Sequence, residues 1–375
     1  MLHRRLLLAL CAALLMAAGC QPTAPTDVVF FLTFVPNIQF APLYVAIEKG
    51  YFADEGLNVV IQHGDEPDGV DLIAAGRLDF GMISGEQLIL ARANGRPVVF
   101  VYEWFQRYPV GVVAPDHTGI SSIRDLAGRR VGIPGRFGAS YTGLIALLAA
   151  NDMTETDIQL EPIGFNAPDV MCLGAVEAAV VYMNNEPLQI QQRADAGTCG
   201  SITGVTLLPV ADAADMVSNG IVTSEMTSAE KPELVRAVVR AFDRALRDVI
   251  TNPAEAYLLS RAYVENLPAA ETFVQALTEL ASAQAEFLAS EPDRAAVTDN
   301  RAASGADLAA RFEPQDVVQF LVLLNSIDLW DAERPGFSEL TSWEVTQDIL
   351  AEMGFLAEPI DLTAAFTNAF LPPVE

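Results

Sequence analysis

Histidine is scarce in this 375-residue chain, with three copies. His3 lies in the leader described below, so only His63 and His117 remain. Two imidazoles are too few for a multi-histidine metal centre. Cysteine is nearly as rare. Of its four copies, Cys11 lies in the leader and Cys20 at its end, leaving Cys172 and Cys199. Neither sits in a CxxC arrangement, which argues against zinc. Positive charge is short too: 22 basic residues face 49 acidic ones, a net −27, and without Arg4 and Arg5 the balance is 20 against 49, or −29. Such a surface repels phosphate backbones, so nucleic-acid binding is excluded as a function class. The catalytic patterns GxSxG, HExxH and the Walker GxxxxGK[ST] are absent. No carboxylate pair and no nucleophile with its base stands out, so the residues nominate no catalytic group, metal or cofactor.

What is present is apolar. Hydrophobic residues make up 51% of the chain, enough for a well-buried interior, and the length suggests about two domains. The first residues read MLHRRLLLALCAALLMAAGC: a basic start, an apolar run from Leu6 to Met16, then Ala17-Ala18-Gly19 before Cys20. This is the pattern of a secretory signal over residues 1–19. Its end resembles a bacterial lipoprotein signal, which implies a lipid on Cys20. The QPTAPT stretch to Thr26 reads as a polar tether over residues 20–26. No later apolar run is long enough to span a bilayer. Outside the cytoplasm Cys172 and Cys199 either pair or remain buried thiols, and their spacing does not decide which.

Strands and helices then alternate. Strands are predicted at 28–34, 57–62, 79–83 and 98–101, with helices at 41–49, 70–75 and 84–92. The rhythm restarts with strands at 110–114, 130–133, 158–163, 178–183, 205–209 and 220–223, and helices at 139–150 and from Glu186. Such alternation predicts parallel, doubly wound sheets. From Ser228 the pattern is helical, with helices expected at 233–249, 254–263, 269–289, 315–324 and 342–352. Two α/β lobes are therefore expected, one from 27–109 with 213–375 and one from 110–212, with a ligand cleft between them.

Three stretches converge on that cleft. Phe34, Asn37 and Phe40 place rings beside an amide, which suits a planar heterocycle, though core aromatics with a turn-forming Asn read the same way. Ser84 and Glu86 open a helix, where Ser84 and Gln87 would complete a capping box unless the free amides face a ligand. Gly135, Arg136, Phe137, Gly138 and Tyr141 form a glycine-bearing loop before a helix, open to a ligand or simply a loop. Trp104, Tyr108, Tyr182, Asn184 and Glu186 fall at strand or crossing ends and complete the candidate set.

The stretches from Phe31 to Val59, Ala74 to Met82 and Asp125 to Gly138, with Ser342 to Leu371 and its Phe366-Thr-Asn368-Ala-Phe370 signature, resemble the thiamine-precursor and pyrimidine-binding group of ABC-transporter substrate-binding proteins. The likeness spans nearly the whole mature chain. It implies a type II periplasmic-binding-protein fold, two α/β lobes with an interlobe cleft plus C-terminal helices, and a membrane permease as partner. An enzyme branch of that family uses a lysine and a histidine near the opening and third strands and a cysteine-rich cluster. Ile83 to Gln87 holds neither lysine nor histidine, and no cysteine lies near Met216 to Gly220, so a binding protein is expected rather than an enzyme. Pyrimidine-binding members carry Trp at the position of Phe34 and His at that of Phe40. The resemblance is instead to lipoprotein members associated with riboflavin uptake. Riboflavin is thus the expected ligand, with a thiamine pyrimidine precursor the alternative.

Overall fold

The computed structural model describes residues 24–373. The leader and Cys20 lie outside the described residues. The opening apolar run forms β1 (Thr26–Leu32), so the fold begins at Thr26, inside the expected tether, and Phe34 falls in the turn beyond the strand. β1 pairs in parallel with β2 (Leu57–His63) and β3 (Phe80–Ser84). Between them run α1 (Ala41–Glu48), a short α2 (Tyr51–Asp54) and α3 (Glu66–Ala74); α4 (Gly85–Ala93) leads to β4 (Val98–Glu103). The chain then leaves to build a second sheet from β5 (Val110–Pro115), β6 (Arg130–Ile133), β7 (Gln159–Pro162), β8 (Ala178–Tyr182) and β9 (Val205–Pro209). Here α5 (Gly138–Ala149), α6 (Ala167–Cys172) and α7 (Glu186–Asp195) connect successive strands. It returns for β10 (Asn219–Ser224), which inserts between β3 and β4.

The strand orders are β2-β1-β3-β10-β4 and β7-β6-β8-β5-β9. Both sheets are mixed, which corrects the all-parallel expectation. β10 runs antiparallel to β3 and β4, and β5 runs antiparallel to β8 and β9. The reason is connectivity: strands joined by a local helix crossover must run parallel, but those reached by crossing between lobes are free to enter from the other end.

The helical remainder comprises α8 (Glu225–Glu230), α9 (Pro232–Thr251), α10 (Pro253–Ser260), α11 (Glu271–Leu288), α12 (Arg294–Arg311), α13 (Pro314–Trp330) and α14 (Leu340–Glu352). α12 was not anticipated. Its buried positions are Val297, Arg301, Ser304, Gly305 and Leu308, a helical spacing whose middle is small or polar and so is not marked by hydropathy. Asp293 caps it by accepting from the Ala296 N–H, and buried Arg301 is held by Asp328 (3.0 Å) and Asp331 (3.3 Å). Cys172 and Cys199 form a disulfide in the second lobe.

The closing signature is structural. Asn368 Nδ2 donates to the Ser338 carbonyl (2.9 Å) while its Oδ1 accepts from the Ser338 N–H (3.0 Å). Phe366 stacks on Trp343 at 5.0 Å. Ser338 Oγ in turn donates to Glu103 at the end of β4 (2.6 Å), so the tail fastens the point where the chain crosses between lobes. Among the described residues no helix is long and apolar enough to cross a membrane.

Candidate functional site

The two crossings meet at one carbonyl. The N–H groups of Trp104 and Phe105, leaving β4, both donate to the Asn219 oxygen at the start of β10 (3.0 and 2.9 Å). Around this junction the sheets' ends face each other across a cavity of about 70 Å³. Pockets that hold drug-sized ligands measure roughly 300–1,000 Å³, so the cleft is narrow in this conformation.

Six of the fifteen expected residues line this cavity: Phe34, Phe40, Phe137, Gly138, Tyr182 and Glu186. Phe34 meets Phe165 of the second lobe edge to face, with centroids 4.7 Å apart, so the two lobes close ring against ring. Phe40 is buried deeper, 6.1 Å from the Trp104 ring. Tyr182 donates its hydroxyl to Asn219 Oδ1 (3.0 Å), another link across the lobes. Glu186 opens α7, accepts from the Tyr182 N–H (3.1 Å), and is pushed up to about 7 by burial.

The other nine stand outside the lining. Asn37 caps a short 3-10 turn by accepting from the Gln39 N–H (3.0 Å). Trp104 is fully buried in the first lobe's core against Phe242. Tyr108 is buried and donates to the Ala139 carbonyl (2.9 Å). Asn184 bridges Gln39 and Ser326 with its Nδ2, 2.7 Å to each, tying α7's approach to the first lobe. Gly135 lies beneath the Phe137 ring. Arg136 turns outward and grips Glu155 through Nε and Nη2 (3.0 and 2.7 Å), and Tyr141 donates to the other oxygen of the same carboxylate (2.6 Å). Arg136 is thus engaged in an exposed ion pair and not in the cavity.

Ser84 and Glu86 differ most from expectation. Ser84 does precede the helix, but no capping box forms. Its N–H, which Gln87 would have reached back to, is taken by Glu66 Oε1 at 2.6 Å. Glu86 is fully buried, neither of its oxygens has a hydrogen-bond partner, and its pKa is pushed up to about 8, by burial first and by neighbouring Glu66 second. Burial also raises Glu66, against the Ser84 hydrogen bond.

Glu66 is the main residue that sequence reasoning missed. It lines the cavity and lies against Gly138, where any Cβ would collide with Oε2. Gly138 also has φ +59°, a left-handed conformation that favours glycine. Gln39, Phe105, Phe165 and Asn219 were missed too. Gln39 and Phe105 adjoin residues already singled out, which was the available signal. Phe165 and Asn219 depend on the lobe pairing and had none. His63 approaches the site without lining it, with its Nδ1 2.6 Å from the Phe34 carbonyl oxygen. Among the described residues no group of three or more His, Cys, Asp or Glu could hold a metal ion.

Two mixed α/β lobes joined by two crossings around a cleft define the fold of periplasmic substrate-binding proteins. The alkanesulfonate-binding protein SsuA of Xanthomonas axonopodis pv. citri shares it, with a TM-score of 0.61 at 12% identity over 92% of this chain and 100% of that one. The chain belongs to the NMT1/THI5 like family, whose model matches residues 37–256. It is 33% identical to the riboflavin-binding protein RibY of Chloroflexus aurantiacus, over 95% of this chain and 89% of that protein. It is 30% identical to a formylaminopyrimidine-binding protein of Halalkalibacterium halodurans, over 70% of this chain and 80% of the relative. It is also 26% identical to a 4-amino-5-hydroxymethyl-2-methylpyrimidine phosphate synthase of Legionella pneumophila, over 62% and 72%.

Proposed function

We propose that this protein captures riboflavin between its lobes and delivers it to an ABC permease, acting as a binding protein and not as an enzyme. The observation that carries this reading is the aromatic lining: Phe34, Phe40, Phe137, Phe165 and Tyr182 surround the cavity and no lysine, arginine or histidine does, among the described residues. Flat ring faces suit an uncharged isoalloxazine. The RibY likeness over nearly the full chain supports the same ligand. Closure of the lobes on the vitamin would create the surface a permease reads. A lipid on Cys20, beyond the described residues, would hold the protein beside that permease. A thiamine pyrimidine is the second reading, favoured by the formylaminopyrimidine-binding relative.

Purified mature protein is expected to quench riboflavin fluorescence on binding. Phe34→Ala and Phe137→Ala should each weaken that binding by roughly 1–3 kcal/mol if the rings cover the ligand. Calorimetry showing no heat with riboflavin but saturation by hydroxymethylpyrimidine would replace the first reading with the second.

A further inference from the structure

The cleft does not end at the Phe34 and Phe165 rings. Those two rings and Glu186 also wall a second chamber, of about 440 Å³, within the size range of ligand pockets. Val35 and Asn266, both exposed, line it as well, so this chamber is the mouth of the cleft. Its chemistry differs from that of the inner cavity. Five side-chain amides gather there: Asn37, Asn266 and Gln319 from the first lobe, Asn185 and Gln189 from the second. Among the described residues no lysine, arginine or histidine lines it. An amide offers donors and an acceptor together, and a hydroxyl needs the same pairing, since it also donates and accepts. Much of this capacity is unspent. Gln189 Nε2 donates to Asn185 Oδ1 (2.7 Å), which leaves the Gln189 oxygen free. Asn37 Oδ1 accepts from the Gln39 N–H (3.0 Å), which leaves its Nδ2 free. The side-chain amides of Asn266 and Gln319 hold no hydrogen bond among the described residues. These groups come from the turn after β1, the loop after α10, and helices α13 and α7, and they meet only where the lobes do.

We propose that this amide-lined mouth is the subsite for an uncharged polyhydroxylated chain, the ribityl arm of the vitamin, whose ring system lies against the aromatic lining inside. This inference rests on reading the inner cavity as the riboflavin site. The shared walls make the two chambers continuous, so a ligand with its flat part inside carries its arm into the mouth. Hydroxyls left unpaired in a closed cleft are costly, and the mouth supplies partners that the ring-lined cavity does not. Because the amides belong to both lobes, hydroxyls bound among them bridge the lobes and favour closure. A thiamine pyrimidine has no such arm and makes no use of the mouth.

The test titrates riboflavin and lumiflavin, the same ring system with a methyl group in place of the arm, into the wild type, Gln189→Ala and Gln319→Ala, one variant from each lobe. Wild-type protein should bind riboflavin at least ~tenfold more tightly than lumiflavin, the worth of one or two hydrogen bonds. Each variant should narrow that preference by about threefold or more. A merely structural role for the two glutamines would weaken both flavins by the same factor and leave the preference unchanged, which overturns the proposal. Equal wild-type affinity for the two flavins also overturns it, whether or not the variants fold, and leaves the riboflavin reading intact. If neither flavin binds and hydroxymethylpyrimidine does, the riboflavin reading falls and the subsite falls with it.

Discussion

The two lobes solve the same packing problem with different materials. The first buries large rings: Tyr44, Trp104, Phe242, Tyr257 and Trp330 share one core with α9, α10 and α13 around β1, β3, β4 and β10. The second is aliphatic. Its main core is built on Val110, Val112, Val131, Ile133, Leu144 and Leu148, with Tyr108 as its one fully buried ring among the described residues. A smaller cluster around Ile190 and Ile202 carries the Cys172–Cys199 bond. Small cores shield a lower fraction of their chain and are the ones that use staples, whereas a core with enough buried ring area does not need them. Removing the material that each lobe relies on should separate them. Trp330 is fully buried, with Trp104 and Phe105 centroids 6.0 and 5.8 Å away, so Trp330→Ala should cost about 3–5 kcal/mol in denaturant unfolding. Replacing Cys172 and Cys199 by Ser should cost about 2–4 kcal/mol. Amide exchange should then quicken mainly through α6, α7 and β9, leaving β1 and β3 protected. Uniform loss of protection across both sheets would show that the lobes unfold as one unit and that the contrast in their cores is without consequence.

A third perturbation reads the seam between the lobes in place of either core. Glu66 and Glu86 on one side, Glu186 on the other and Glu103 at the crossing are all buried acids, and burial raises each; Glu103 and Glu186 reach about 7 and Glu86 about 8. For an acid whose folded pKa lies above its ordinary 4.5, the folded state binds more protons than the unfolded state between the two values. Its contribution is therefore full below 4.5 and is lost as pH rises through the folded value. Stability should fall as pH goes from 5 to 8, the reverse of ordinary acid denaturation, and Glu86→Gln should flatten that slope by roughly 1–3 kcal/mol. A stability curve that rises over this interval would contradict the assignment. Because these acids cluster where the lobes meet, the slope should steepen when closure is favoured by ligand, which neither core substitution would produce.

How much of this was legible in the sequence depended on whether neighbours in space were neighbours in the chain. Apolar runs located all ten strands, and β6 and β9 fall where the pattern puts them, although the edge strands β7 and β9 stay partly exposed. Strand direction was not legible for β5 and β10, the two strands that the chain enters directly from the other lobe. α12 was silent because its buried face sets Val297 and Leu308 far apart, with Ser304, Gly305 and an arginine between them that becomes intelligible only beside Asp328 and Asp331. In the site, Phe34, Phe40, Phe137 and Tyr182 were found because rings at strand ends are conspicuous. Glu66 was missed because, in DEPD, it reads as one more solvated acid at a helix start. Its burial comes from Ser84 on one side and Gly138 of the other lobe on the other.

The smallest expected effect sharpens the comparison furthest, because it concerns adjacent residues. Arg136 and Phe137 share a loop, yet Phe137 lines the cavity and Arg136 points to Glu155 and solvent. Its ion pair is half-exposed, and surface pairs of this kind contribute little. Arg136→Ala should therefore leave both vitamin affinity and thermal stability unchanged within error, while Phe137→Ala weakens binding. An affinity loss in Arg136→Ala as large as that in Phe137→Ala would show instead that the arginine leaves Glu155 and turns into the cavity on binding.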